Sequence, residues 1–376
     1  MTSLDGAFWG IAGENVAVAL LLAGAFWFLR SALPREPWRT AWRQLRGRPA
    51  AMASLGILAV YAAVALLDSV SWRDPLCDER GQARRDAGNR PVLEARALTL
   101  LDRSSAALRR RKEKTYSAPL ASEQFSREMV QDAEGRSAWI RPRLRHPGGH
   151  LLGTDKVGND VFFRALKGVR TGMVIGGMTV LIAIPFALLF GVLAGYFGGW
   201  VDDVIQYLYT TLASIPGILL IVAFLMIFKQ RSLWQICLVL GITSWTGLCR
   251  LVRAETLKLR ELEYVQAAVA LGISRAKILL RHVVPNLLHL VTISAVLQFS
   301  GLVLAEAVLA YVGVGVGTDT GSWGNMINTA RLELSRDPLV WWNILAAFVL
   351  MMGLVLPANL FGDALRDALD PRLRTR

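Results

Sequence analysis

The chain has 376 residues, of which 53% are hydrophobic, and its mean hydropathy is +0.40. A soluble fold of this size does not normally hide so much apolar surface, so these values exclude an ordinary soluble globular protein and indicate a membrane protein. The formal net charge of +13 does not indicate nucleic-acid binding, because Lys and Arg lie in loops between apolar runs.

Seven apolar runs are candidate membrane spans, since about 20 helical residues cross about 30 Å of hydrocarbon. They cover residues 16–29, 51–67, 173–196, 204–228, 233–248, 287–312 and 340–361. The first is the weakest, because Glu14 and Asn15 interrupt its outer end. Residues 1–15 carry no Lys or Arg, which a signal peptide needs ahead of its apolar core, so a retained helix is expected. The sequence thus predicts an all-α membrane protein, a polytopic bundle of transmembrane helices.

Basic residues predict the orientation of the spans. The loop between the first two spans is expected in the cytoplasm because it holds Arg30, Arg35, Arg39, Arg43, Arg46 and Arg48. The N-terminus and residues 69–171 are then expected outside, and the loop 250–281 and the C-terminus inside. One short loop disagrees, because Lys229 and Arg231 are assigned outside.

Four segments precede the main group of spans. They are an extra N-terminal transmembrane helix (1–33), a cytoplasmic basic lead-in (34–50), a transmembrane helix (51–69) and an external insert (70–150). The insert is polar, with a basic patch at 109–114 that is interpreted as a solvated surface, and short helices are expected within 91–114. The cysteines Cys77, Cys237 and Cys249 form no metal-binding spacing, so no metal site is predicted.

The most informative stretch is residues 263–286, which predicts a short helix, a break and a second helix. Ala267 and Ala268 are small enough for another surface to approach the backbone, and Gly272 supplies the dihedral angles of a turn. Ser274 is placed to N-cap the second helix, whose basic face is formed by Arg275, Lys277 and Arg281. The alternative is an ordinary amphipathic connector.

This stretch resembles the "EAA" signature of binding-protein-dependent ABC importer permeases. The matching positions are Ala267, Ala268, Gly272, Ile278, His282 and Pro285, whereas Gln266 replaces the signature glutamate. In that family the loop is a coupling helix that docks in a cleft of a cytoplasmic ATPase subunit. The resemblance therefore implies that these residues, with Gln266 and Ser274, form the ATPase interface.

Further stretches are similar to the dipeptide and oligopeptide subfamily. The segment that leads into the transport core is matched by Gly153, Thr154, Asp155, Gly158, Asp160 and Arg164, with Asn159 where arginine is usual. Residues 322–326 resemble its Ser-Trp-Gly element, and residues 38–43 and 359–372 resemble its second permease subunit. Together these resemblances cover about residue 37 to the C-terminus, apart from the insert.

The resemblance implies a type I ABC importer permease fold with six core helices plus the extra N-terminal helix. Its transmembrane domain covers 151–376, with a coupling loop at 254–285. The expected partners in the inner membrane are a homologous permease, two cytoplasmic ATPase subunits and an external substrate-binding protein. No G-x-x-x-x-G-K-[ST] loop occurs in the chain, so ATP is expected in the partner subunits, with no enzyme activity or cofactor here.

Polar residues inside the spans are candidates for a solute pathway. They are Gln206, Thr210, Ser214, Gln298, Ser300 and Glu306. The alternative for each is a hydrogen bond between helices, or for Glu306 contact with water at the membrane surface. Rival functions are a proton- or sodium-driven transporter and a structural scaffold, and within the family a nickel or sugar-peptide importer.

Overall fold

A computed structural model of the chain describes residues 36–72, 98–131, 137–228, 232–317 and 320–369, with five isolated residues nearer the N-terminus. Those five, all helical, are Val16, Ala19, Ala23, Gly24 and Arg30. The remainder of the predicted first span lies outside the described residues, as do Cys77, Lys229, Arg231 and the C-terminal residues 370–376.

Helices dominate the described part of the chain, because a helix satisfies its backbone hydrogen bonds internally in an apolar medium. In chain order they are α1 (Glu36–Arg46), α2 (Pro49–Ser69), α3 (Leu100–Ser104), α4 (Ala106–Arg110), α5 (Val161–Phe197), α6 (Gly199–Ser214), α7 (Gly217–Leu225), α8 (Leu233–Arg260), α9 (Glu263–Ala270), α10 (Arg275–Ile278), α11 (Val284–Tyr311), α12 (Trp323–Glu333) and α13 (Trp342–Leu369). A π-helical turn, Leu279–Val283, joins α10 to α11.

Five helical stretches of the described residues are long and apolar enough to cross a membrane. They are α2, α5, α8, α13 and the continuous stretch Arg275–Tyr311, and they match five of the predicted spans. The predicted span 204–228 is not one straight helix, because α6 and α7 meet there at 89°. Pro216 lies at the break; proline disfavours the helical conformation of the preceding residue, and Ile215 is extended.

The described part of the insert contains two antiparallel strand pairs, β1 (Ser71–Trp72) with β2 (Leu98–Thr99), and β3 (Glu128–Gln131) with β4 (Ser137–Ile140). Short helices were expected within 91–114, and α3 and α4 lie there. A capping box between Thr99 and Asp102 starts α3.

The chain forms two compact units. The first contains the described parts of Ala59–Thr171 and Gly321–Met351, and the second those of Phe28–Leu58, Gly172–Thr320 and Met352–Arg376. In the first unit, the indole of Trp323 donates to the Ala165 carbonyl at 2.8 Å and covers Gly168, where a Cβ would lie 2.6 Å from the ring. Gly168 thus permits the close approach of α12 to α5.

In the second unit, the core lies around α5, α8 and the stretch 263–286. Gly191 and Gly195 are one helical turn apart on α5, and a Cβ at either would lie 2.7 Å from an atom of α8. Small residues at this spacing let two helices approach closely in a membrane. The close packing positions the C-terminal end of α8, from which the stretch 263–286 continues.

Candidate functional site

The predicted helix, break and second helix are present at 263–286. Residues 254–260 of the predicted coupling loop 254–285 belong to α8, so from here on the coupling loop means 263–286. α9 ends in a Schellman motif: the Ile273 amide donates to the Ala268 carbonyl at 3.1 Å and the Gly272 amide to the Val269 carbonyl at 3.0 Å. Gly272 has φ of +71°, as the motif requires, and no atom lies within 4 Å of a Cβ built there. Backbone conformation alone therefore favours glycine at this position.

Two other predicted residues of the coupling loop, Ser274 and Pro285, lie at the start of helices. Ser274 is the N-cap residue of α10, as expected, but its side chain makes no capping hydrogen bond. Pro285 lies at the start of α11, which directly follows the π-helical turn Leu279–Val283. The second helix of the loop therefore runs through the π-helical turn into a membrane span.

The two alanines of the signature differ in burial. Ala268 is 5% exposed and packs with Val265 and Ile278 in the core of the second unit, whereas Ala267 and Gln266 are exposed. The small size of Ala268 is therefore required by the fold of this chain itself. Ala267 is the alanine that another protein can approach.

Several apolar side chains that follow Ala267 along the coupling loop are also exposed. Leu271 is 80% exposed, Leu280 72% and Val269 51%, and the basic side chains Arg275, Lys277 and Arg281 are exposed on the same loop. These three apolar residues were not predicted as part of the site. Their position in a loop between apolar spans could have indicated that they belong to the site. Only the structure shows that their side chains are exposed.

Hydrogen bonds hold the coupling loop at both ends. Arg260 donates to the Gly195 carbonyl at 3.2 Å, and its own carbonyl accepts from the side-chain amide of Gln266 at 3.0 Å. At the other end, the side-chain amide of Asn286 donates to the Tyr264 hydroxyl at 3.1 Å. The exposed apolar surface is therefore carried on an element with fixed ends.

The predicted motif before the transport core forms a buried turn in the first unit. The Asp155 carboxylate accepts from the amides of Val157 and Asn159, both at 2.9 Å, and pairs with Arg164. Gly158 has φ of +77°, and a Cβ there would lie 1.8 Å from the Glu113 carbonyl oxygen. The glycine is needed because the insert backbone occupies that space.

The remaining motif residues attach the insert to α5. Thr154 donates to the Thr115 carbonyl at 2.8 Å, and a Cβ added to Gly153 would lie 2.3 Å from the Ser117 carbonyl oxygen. Asp160 accepts from the Phe163 amide at 2.9 Å, and its second oxygen lies 2.9 Å from Nδ1 of His150. The turn is therefore a structural junction in this chain.

Several buried polar residues in and around the insert were not predicted from the sequence. Lys167 of α5 lies 3.0 Å from Asp102 and also pairs with Asp68 at the end of α2. Tyr116 donates to Glu333 at 2.9 Å, and burial, followed by this hydrogen bond and the glutamate charge, raises the pKa of the phenol. No local spacing signals these pairs, because their members lie far apart in the sequence.

The candidate pathway residues lie on two helices. On α6, Gln206 donates to Asp202 at 3.0 Å and Ser214 to the Thr211 carbonyl at 2.7 Å, both within the helix, while Thr210 is exposed. On α11, Ser300 and Glu306 are each 3% exposed, and buried oxygens of Gln298 and Ser300 have no hydrogen-bond partner among the described residues. A shared pathway stays a prediction.

Within the described ranges, no three His, Cys, Asp or Glu side chains are grouped so that they could hold a metal ion. Cys237 and Cys249 are buried free thiols.

Comparison with known proteins agrees with this geometry. The family "Binding-protein-dependent transport system inner membrane component" matches residues 187–375, which include the coupling loop, and "N-terminal TM domain of oligopeptide transport permease C" matches residues 36–79. The oligopeptide transport system permease protein OppC of Haemophilus influenzae is 34% identical over 227 residues, which cover 60% of this chain and 72% of that protein.

Two other similar proteins are a curated relative and a solved structure. The dipeptide transport system permease protein DppC of Alkalihalophilus pseudofirmus is 34% identical over 234 residues, covering 62% of this chain and 76% of that protein. An inward-facing structure of the MetNI methionine ABC transporter superposes with a TM-score of 0.45 at 18% identity, covering 55% of this chain and 97% of that one. From the two family matches and the two permease relatives, OppC and DppC, the chain belongs to the inner-membrane components of binding-protein-dependent transport systems.

Proposed function

We propose that this chain is the permease subunit of an ATP-driven importer, and that it forms a pathway for di- or oligopeptides with a homologous permease. The names of the relatives, an oligopeptide and a dipeptide permease, support peptides over nickel or sugar-peptides as the solute. Two cytoplasmic ATPase subunits bind the ATP, and an external binding protein delivers the solute. The N-terminus lies outside and the coupling loop and C-terminus lie in the cytoplasm.

The observation that carries the proposal is the exposure of three apolar residues of the coupling loop that lie between two membrane helices, namely Ala267, Val269 and Leu271. Exposed apolar patches of this kind mark sites where another protein binds. The loop continues directly into α11 and follows α8 after a two-residue link, so movement of a bound ATPase subunit is transmitted to two membrane helices.

The test enlarges the exposed alanine. Ala267→Trp obstructs a close-fitting cleft, and overpacking of a tight contact costs about 1 to 3 kcal/mol, which weakens docking by roughly one to two orders of magnitude. We expect loss of solute uptake and of solute-stimulated ATP hydrolysis in proteoliposomes that contain the whole complex. Membrane insertion and co-purification with the partner permease should persist.

Ala53→Trp is the matched control, because Ala53 is an exposed alanine on the span α2. Transport by this variant should equal that of the wild type. Wild-type uptake by Ala267→Trp would show that the coupling loop is not the contact with the ATPase subunit.

A further inference from the structure

Three arginines lie along one side of α1. Arg39, Arg43 and Arg46 are separated by four and then three residues, a spacing that places side chains on the same helix face. All three are exposed, and none of them forms an ion pair with a carboxylate of the described residues. We call this surface the basic face of α1.

The other side of α1 is held by the second unit. Ala41 and Leu45 are 1% and 3% exposed and pack with Ala364, Leu365 and Ala368 of α13. Arg48, just after the helix, pairs with Asp367 of α13 at 2.7 Å. Because these contacts prevent α1 from rolling, the basic face is directed away from the protein core.

The depth of α1 follows from its link to a membrane span. Only Gly47 and Arg48 separate α1 from α2, and their amides donate back to Gln44 and Leu45 at 3.1 and 3.0 Å. Two residues extend a chain by at most about 7 Å. The headgroup layer is about 5 to 8 Å thick on each side of the hydrocarbon, so the C-terminal end of α1 lies at or next to the headgroups.

Tryptophans border the basic face. Trp38 and Trp42 are half-buried and pack beside the contact with α13, and the guanidinium of Arg46 lies 5.4 Å from the ring centroid of Trp42. Tryptophan is enriched at the membrane surface, and the planar guanidinium group suits bidentate binding of phosphate. The side chains at this edge of α1 therefore match the chemistry of the headgroup layer.

We propose that α1 is an interfacial anchor, and that Arg39, Arg43 and Arg46 bind the headgroups of anionic phospholipids. Contact with an anionic membrane surface strengthens binding by roughly fivefold for each basic residue. Three arginines on one helix face therefore distinguish an anionic lipid from a zwitterionic one. The anchor holds the cytoplasmic-side junction of α2 with α13 at a constant depth in the membrane.

The experiment uses the purified full chain and titrates it with phosphatidylglycerol or phosphatidylcholine, with bound lipids resolved by native mass spectrometry. In the triple variant R39Q/R43Q/R46Q, we expect the tightest phosphatidylglycerol binding to weaken at least about tenfold, while phosphatidylcholine binding stays unchanged. The matched control R141Q/R143Q/R145Q removes three exposed arginines of the insert and should bind phosphatidylglycerol like the wild type. Thermal unfolding checks that both variants are folded.

Unchanged phosphatidylglycerol binding by the triple variant, or an equal loss in the control, overturns the proposal. If the triple variant binds lipid normally but, when it is purified with its partner subunits, no longer retains the ATPase subunits, the basic face is a protein-docking surface and the proposal is wrong. The measurement involves no transport, so its outcome is independent of the proposed function.

Discussion

Replacing Gly272 with valine tests the turn of the coupling loop without changing its packing. Gly272 has φ of +71°, and a Cβ at this position meets no atom within 4 Å. The substitution therefore introduces backbone strain, while the added Cβ itself meets no neighbouring atom. Valine is branched at Cβ and resists the left-handed conformation more than other residues.

The strain sets the magnitude of the effect. Placing an ordinary residue in the left-handed region costs about 1 to 2 kcal/mol of conformational free energy. For a β-branched residue the cost is at or above the upper end of this range. A cost of about 2 kcal/mol lowers the ratio of the native turn to other conformations of the loop roughly thirtyfold. Asparagine tolerates this region, so defects should increase from Gly272→Asn to Gly272→Ala to Gly272→Val.

The assay compares ATP hydrolysis with solute uptake in proteoliposomes that contain the whole complex. Gly272→Val should lose uptake and solute-stimulated hydrolysis, because the exposed apolar surface then leaves its position relative to α8 and α11. Gly148→Val is the matched control: Gly148 lies in the insert, has φ of +66° and likewise has no atom within 4 Å of a Cβ. It should lower thermal stability by a similar amount and leave coupling intact.

Two results would refute this reasoning. Wild-type coupling in Gly272→Val means that the turn conformation does not matter for transport. If Gly272→Asn and Gly272→Val lose equal amounts of uptake and hydrolysis, the loss is caused by the presence of a side chain and not by the backbone angle.

Four further outcomes are expected. Ala268→Leu should lower the free energy of unfolding by about 1 to 3 kcal/mol, because it overpacks a buried position, whereas Ala267→Leu should not lower it. Thermal unfolding of the two variants measures the difference. Gly158→Ala should prevent the insert from folding, because its Cβ would lie 1.8 Å from a backbone oxygen; limited proteolysis that leaves the insert as resistant as in the wild type contradicts this. Gln266→Glu should reduce stability by only about 1 kcal/mol, because it removes one exposed hydrogen bond, and uptake should remain near normal. A cysteine at Ser3 should react with an impermeant reagent added to intact cells, and its protection would contradict the predicted external N-terminus.

The coupling loop shows where sequence reasoning succeeded and where it did not. The turn at Gly272 and the two helices around it were predicted, because helix ends depend on residues within one or two turns. The difference in burial between Ala267 and Ala268 was not predicted, because the two residues have the same chemistry. Only packing against Ile278 and Val265 distinguishes them.

In the motif before the transport core, too, the sequence did not reveal the contacts, and here the contacting residues lie farther apart in the chain. Gly153 and Gly158 were recognised as part of a motif, but the sequence does not show what each must accommodate. The atoms next to them belong to Ser117 and Glu113, tens of residues earlier in the chain. The interpretation of the span 204–228 was incomplete, since Pro216 is visible in the sequence but the 89° angle is not.

The sequence by itself determined that this protein spans a membrane as a bundle of helices and carries a helix–turn–helix coupling loop. Those properties depend on the length and hydropathy of continuous runs and on the dihedral preferences of single residues, which are local. Only the tertiary structure decided which side of the coupling loop is exposed, how the insert attaches to α5 and which helix the apolar face of α1 packs against. These depend on contacts between residues far apart in the chain, whose free energies no local pattern specifies.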